Sequence, residues 1–471
     1  MSDSLRRGGV DLLIRNAHVV TSEADLDADI HCRDGAIDAI REPGGDVAGR
    51  WDEVYEADGL VVLPGVVDPH VHSRDPGQIH KEDFAHATRA AAAGGVTTIL
   101  DMPNAIPAIT DAEVFEERVQ HHSRSAFVDF GLWGLILDAG SVKHVGELKA
   151  AGAVGLKLFW GFFFDRETGA LIYDAKQRDP KDLLPPASTA DLWELFEAAA
   201  HEGILVGLHS EDRGILEVLG GRHPEFDDYP TLLATRPVGA ESASIAAGVE
   251  VAVGTGARLH ILHVSSRRGA ALVRHARADG LRVSAETCPH YLTLTAEDFP
   301  AIGPAMKVYP PIRTAEDRDA LWEAVNDGTL TSVSSDHAPH SAEERRGILS
   351  QLPAGSYGAQ TMVQVLLNEA AERRTTLRRL SWVLSEGTAR VYGIYPQKGS
   401  LEPGTDADFT VVDPDAPWSI DQAALLTKTK LSPWHGRKGR GLPVATIVRG
   451  DIVMRDGNVV GQPRGRFVRP A

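Results

Sequence analysis

Between about Pro64 and about Tyr395 the chain repeats one unit, a short apolar strand followed by an amphipathic helical stretch, and this repetition restricts the fold more than any other feature. Strands are predicted at 97–100, 129–133, 155–159, 205–209, 259–263, 283–286 and 332–336, with a first one counted from Val61. Helices are predicted at 191–200 and 241–253, and Thr314-Ala315-Glu316-Asp317 reads as a capping box ahead of Leu321 and Trp322. Eight βα units point to a closed parallel (β/α)8 barrel of the TIM type rather than an open sheet. An open doubly wound sheet would want a glycine-rich turn after its first strand, and no G-x-G-x-x-G stands there.

Both ends of the chain read differently. Residues 10–63 hold the β-like runs Leu12-Leu13-Ile14, His18-Val19-Val20 and Ala36-Ile37-Asp38-Ala39-Ile40, with turns at Asp34-Gly35 and Pro43-Gly44-Gly45. Similar runs return late, around Arg449-Gly450-Asp451 and Asp456-Gly457-Asn458. One small β-sandwich domain built from residues 1–63 and 396–471 is therefore expected beside a barrel of residues 64–395. A chain of 471 residues exceeds what a single core accommodates, in keeping with two domains. Residues 161–190 show no periodicity and are long for a barrel loop, so a lid or a disordered insertion is expected there.

The net charge of −18 argues against non-specific binding to nucleic acid or to an anionic membrane, since both need an excess of Lys and Arg. Cys32 and Cys288 are the only cysteines, which excludes a disulfide framework, favours a reducing cytoplasmic setting and leaves nitrogen and oxygen as metal ligands. No apolar stretch follows Arg6-Arg7, and no run approaches the roughly 18 apolar residues of a membrane span. A soluble cytoplasmic protein is the expectation.

In a parallel barrel the chemistry sits at the C-terminal ends of the strands. Asp68-Pro69-His70-Val71-His72 follows the apolar run Leu60-Val61-Val62-Leu63, and the period of two in a strand turns both imidazoles the same way. Alone, such a pair among 19 histidines reads equally well as ordinary strand residues. His209, His263 and Asp336 close three later strands, however, and Lys157 lies in the fourth. Together they make a two-metal set without thiolate. Lys157 is the odd member, because an ammonium should not face a cationic centre. Either it pairs elsewhere or it has reacted with carbon dioxide to give an anionic carbamate able to bridge two ions.

These stretches, with Gly155-Leu156-Lys157-Leu158-Phe159, Thr287-Cys288-Pro289-His290-Tyr291, Lys307-Val308-Tyr309-Pro310-Pro311-Ile312-Arg313, Ser334-Ser335-Asp336-His337-Ala338-Pro339-His340 and Leu401-Glu402-Pro403-Gly404-Thr405-Asp406-Ala407-Asp408, resemble the amidohydrolase superfamily. The resemblance covers nearly the whole chain and is to the cyclic-amidase branch of dihydroorotases, allantoinases and hydantoinases. It implies a hydrolase that opens the C–N bond of a small cyclic amide, ureide or imide. It implies one divalent ion on His70, His72 and Asp336, a second on His209 and His263, and carboxylated Lys157 bridging both. A hydroxide shared by the ions would be the nucleophile, and Asp336 would serve as acid and base. Zinc is expected, with manganese, iron or cobalt also admitted by such ligands. The habit of the branch implies a homodimer or homotetramer.

Substrate signals diverge. Arg74 and Asn104 resemble the dihydroorotase pair that grips a substrate carboxylate, and His340 resembles a substrate-contacting histidine of the same enzymes. Tyr309 departs from that pattern, and Gln360 with Arg449-Gly450-Asp451 looks more like allantoinases. The run Phe159-Trp160-Gly161-Phe162-Phe163-Phe164 lacks a tyrosine that hydantoinases place there; it reads as packing under the barrel rim, or else as an apolar wall over the substrate ring. The competing readings are a hydantoinase or dihydropyrimidinase acting on uncharged rings, a deaminase, which would lack Lys157, and a non-catalytic scaffold relative. In a scaffold relative ligand positions would be replaced, and none is.

Overall fold

The computed structural model describes residues 9–45, 50–172, 178–373 and 375–471; the N-terminal segment 1–8 and residues 173–177 of the long loop lie outside them. Eight barrel strands follow in order: Val66–Val71, Val96–Asp101, a third in two pieces, Asp129–Leu132 and Gly134–Leu135, then Leu156–Trp160, Leu205–Ser210, Arg258–Ile261, Val283–Thr287 and Ser332–Val333. Each pairs in parallel with the next. The break in the third strand lets its first piece pair with strand two and its second with strand four. A parallel bridge between Val71 and His337 brings the end of strand eight back to strand one. Strands two and five are buried along their whole length, as a parallel sheet wrapped by helices requires.

Helix ends follow local chemistry. The helix Ala315–Asn326 begins at the capping box of Thr314 and Asp317, and Thr189–Glu202 begins at another made by Ser188 and Asp191. No helix among the described residues is long and apolar enough to cross a membrane.

Inside the barrel the largest filler is Trp133, whose indole N–H donates to the Pro69 carbonyl at 3.1 Å. Its ring explains two glycines, Gly155 just before strand four and Gly207 within strand five: a Cβ there would stand 2.7 or 2.6 Å from it.

The run Leu60-Val61-Val62-Leu63 does not begin the barrel. The strand Val61–Pro64 pairs in parallel with Leu12–Val20 and antiparallel with Phe409–Ser419, inside a nine-stranded sheet drawn from both ends of the chain. Barrel strand one starts just beyond Gly65 and contains His70. Consecutive buried β-branched runs carry no sign of which sheet each will join, and Gly65, with no room for a Cβ beside Thr97, is the joint between them. The terminal sheet folds around its own core of Ile14, Val19, Ile30, Val62, Phe409, Val411 and Ile447, giving the small β-sandwich. Its hairpins turn at Asp34-Gly35, Arg449-Gly450 and Asp456-Gly457, each with both φ angles positive. That backbone matches the twist of antiparallel strands.

A buried charge cluster fixes the sandwich to the barrel. Lys398 Nζ lies 2.5, 2.9 and 2.7 Å from carboxylates of Asp129, Asp406 and Asp408, and Arg449 also pairs with Asp129, the first residue of barrel strand three.

Gly207→Ala should push the Trp133 ring aside and destabilise the protein by about 1–3 kcal/mol. A thermal melt would show a lowered Tm; an unchanged Tm would contradict the packing assigned to Trp133.

Candidate functional site

His70, His72, Lys157, His209, His263 and Asp336 line one cavity, together with Phe159, Phe162, Leu171, Tyr309, Ala338, Ala354 and Gly355. His70, Lys157 and His209 sit within strands one, four and five. His263 and Asp336 stand just past strands six and eight with φ of 39° and 46°. Left-handed backbone costs a non-glycine residue on the order of 1–3 kcal/mol, and it persists where the surrounding fold dictates it, most often at functional sites.

The geometry around His70 calls for positive charge. Its Nδ1 donates to Glu286 Oε1 at 2.7 Å, while its Nε2 faces Asp336 Oδ1 at 3.3 Å, so one imidazole lies between two buried carboxylates. His72 Nε2 faces the same Asp336 oxygen at 3.6 Å. Burial pulls His72 down to a pKa of about 4, so it is neutral. Its Nδ1–H goes to Asn104 Oδ1 at 2.7 Å, which leaves Nε2 as a lone pair. A divalent ion would satisfy His70, His72 and Asp336 at once. Among the described residues, His70, His72 and Asp336 form a group whose ligand atoms lie within 4.8 Å of one another.

A second pair of donors stands beside them. His209 Nδ1 and His263 Nε2 are 3.0 Å apart. Burial holds both imidazoles well below the usual histidine range. The Nε2–H of His209 donates to Glu211 Oε2 at 3.1 Å, so its Nδ1 lone pair points toward His263. Lys157 is fully buried, with Nζ 3.4 Å from His70 Nε2 and 4.4 Å from the centroid of the Phe159 ring. Burial draws its amine down to about 8, toward the neutral form that reacts with carbon dioxide. The six residues therefore fit a divalent metal centre by their chemistry: imidazole nitrogens and one carboxylate turned into the same cavity, with a buried amine beside them.

Arg74, Asn104 and His340, expected at the substrate, do not line this cavity. The Arg74 Nε–H donates to the Pro339 carbonyl at 3.1 Å and Nη2 lies 3.3 Å from His340 Nε2. Asn104 orients His72. Gln360 accepts from the Leu426 amide at 2.7 Å and Arg449 belongs to the sandwich joint, so both act on the fold.

The aromatic run packs under the rim and also reaches the cavity. Phe159, Phe162 and Phe164 cluster with Leu135 and Ala108, while Phe159 and Phe162 also face the cavity, Phe162 edge-on to His209 with centroids 4.9 Å apart. The long loop that follows is ordered where described: Phe163–Asp165, Leu171–Ile172 and Leu183–Leu184 form a small antiparallel sheet that brings Leu171 to the cavity.

Two carboxylates escaped notice in the sequence. Glu286 also meets His260 Nε2 at 3.4 Å and accepts from Tyr392 OH at 3.2 Å, and Glu211 pairs with Arg236. Glu211 repeats the spacing of His70 and His72, two residues beyond His209, and that alternation was the available signal.

The profile of the amidohydrolase family matches residues 61–453. An allantoinase from Rubrobacter xylanophilus is 39% identical over 468 residues, with 98% of each chain covered. An L-hydantoinase from Paenarthrobacter aurescens is 33% identical over 471 residues, covering 97% of this chain and 98% of that one. The solved L-hydantoinase (dihydropyrimidinase) from Arthrobacter aurescens superposes with a TM-score of 0.90 at 32% identity, covering 98% and 100% of the two chains.

Glu286→Gln should weaken divalent-ion retention about 10-fold, because the partner behind a ligating histidine fixes its tautomer and orientation. Dialysis against graded chelator followed by metal analysis measures this, and retention equal to the parent would refute the role given to Glu286.

Proposed function

The chain belongs to the amidohydrolase family, and from that premise we propose that its substrate is an uncharged cyclic ureide of the allantoin or hydantoin type. It is a hydrolase of cyclic amides. The observation that carries the substrate reading is the cavity lining, in which Lys157 is the only Lys or Arg among the described residues. A carboxylate-bearing ring would want a guanidinium there, and Arg74 is engaged with Pro339 and His340 instead. Allantoin comes first because relatives named allantoinase match at 39% and 36% identity. Phe159, Phe162 and Leu171 favour, as a second reading, hydantoins with an apolar arm.

His70, His72 and Asp336 would hold one ion, His209 and His263 the other, with zinc first among the metals and Lys157 carboxylated between them. In carboxylation the neutral Lys157 amine forms an N–C bond to carbon dioxide and releases one proton. When bound, the ions would supply Lewis acidity, acidifying water and polarising the ring carbonyl. The chain's own part is positional and protic. Asp336, held below the usual carboxylate range by its imidazole neighbours despite burial, offers an oxygen that takes the proton of the attacking water. The same oxygen returns it to the ring nitrogen as the C–N bond breaks. Glu286, Asn104 and Glu211 keep the imidazole lone pairs inward. Phe159, Phe162 and Tyr309 wall the ring on the side of the long loop.

A panel of allantoin, 5-substituted hydantoins, dihydrouracil and dihydroorotate, followed by loss of the ring amide, tests this reading. Uncharged rings should open and dihydroorotate should not. Dihydroorotate turnover that disappears in Arg74→Ala would overturn it. Lys157→Ala should lose both ions and lower turnover by orders of magnitude; full metal content in that variant would contradict the bridging assignment.

A further inference from the structure

Arg236 lies outside every motif discussed above, between the helices Tyr229–Thr235 and Val238–Thr255. Its Nη1 pairs with Glu211, the carboxylate that receives the Nε2 proton of His209. The same guanidinium lies over Tyr309, with Cζ 3.3 Å from the ring centroid, and stands 5.9 Å from the Phe162 centroid. Tyr309 and Phe162 both line the cavity. A planar cation can do this because its N–H bonds lie in the plane, toward the carboxylate, while its face meets an aromatic ring. Its backbone is fixed as well: Arg313 donates Nη1–H to the Arg236 carbonyl at 3.1 Å and Nε–H to Ser265 Oγ at 3.0 Å.

We propose that Arg236 is a positioning residue that couples a histidine of the metal centre to the aromatic wall of the substrate cavity, so that one side chain sets both ion retention and ring selectivity. The inference rests on the metal-centre reading above. Lysine at this position would keep a cation beside Glu211 and lose the guanidinium contact with Tyr309. Methionine would lose both and leave Glu211 buried without its cation.

The two substitutions separate the two roles. Arg236→Lys should retain zinc against a chelating dye as the parent does, while KM for the preferred ring rises about fivefold with kcat little changed, the size of a lost cation–π contact. In a Tyr309→Leu background that KM effect should disappear. Arg236→Met should in addition release zinc about tenfold more readily. An unchanged KM in Arg236→Lys, or a KM effect that persists without Tyr309, would overturn the link to the wall. Parent-like zinc retention in Arg236→Met would overturn the link to His209. Zinc retention needs no substrate, so it is decided even if the ring-opening assignment fails.

Discussion

The buried position of His70 between Glu286 and Asp336 is the constraint on which the rest of the site depends. Two carboxylates removed from water repel each other strongly unless positive charge stands between them. His72 and the pair His209 and His263 bring further imidazole nitrogens to the same space. Divalent cations meet that need well, and the surrounding fold is arranged to keep these donors aimed inward. The left-handed backbone at His263 and Asp336 is part of that arrangement.

The barrel supplies rigidity for this arrangement at two depths. Lower in the interior, Trp133 fills the space that Gly155 and Gly207 leave open, and its N–H holds the carbonyl of Pro69, the residue before His70. Further up, the aromatic rings after Lys157 form one wall of the cavity and Ala354 and Gly355 contribute to its lining as well. Arg236 stands where the two requirements meet, its guanidinium over Tyr309 and paired with Glu211. Selectivity for a ring and affinity for an ion are thus linked through shared packing.

Much of this could be read from the chain, and the limits have physical causes. A barrel gathers its strand ends in one place, so the sharing of one cavity by His70, His72, His209, His263 and Asp336 was legible from their positions at or near strand ends. Glu286 was not legible, since a carboxylate at a strand end carries no mark of facing inward until the opposite strand is in place. Arg236 acts through contacts with Glu211 and Tyr309 that lie far from it in sequence. The run at Leu60 misled because burial on both faces looks the same in the sandwich and in the barrel. Arg74 stands two residues past His72, and the turn of the chain that carries its guanidinium to Pro339 is not visible in that spacing.

The proposed centre is a pair of divalent ions held by His70, His72, His209, His263 and Asp336 and bridged by carboxylated Lys157. Anomalous diffraction from crystals of the metal-supplied protein measures it directly. Two peaks are expected, one against His70, His72 and Asp336 and one against His209 and His263, with density for a carbamate on Lys157 between them. A single peak, or two peaks with Lys157 as a free amine turned away from both, would contradict it.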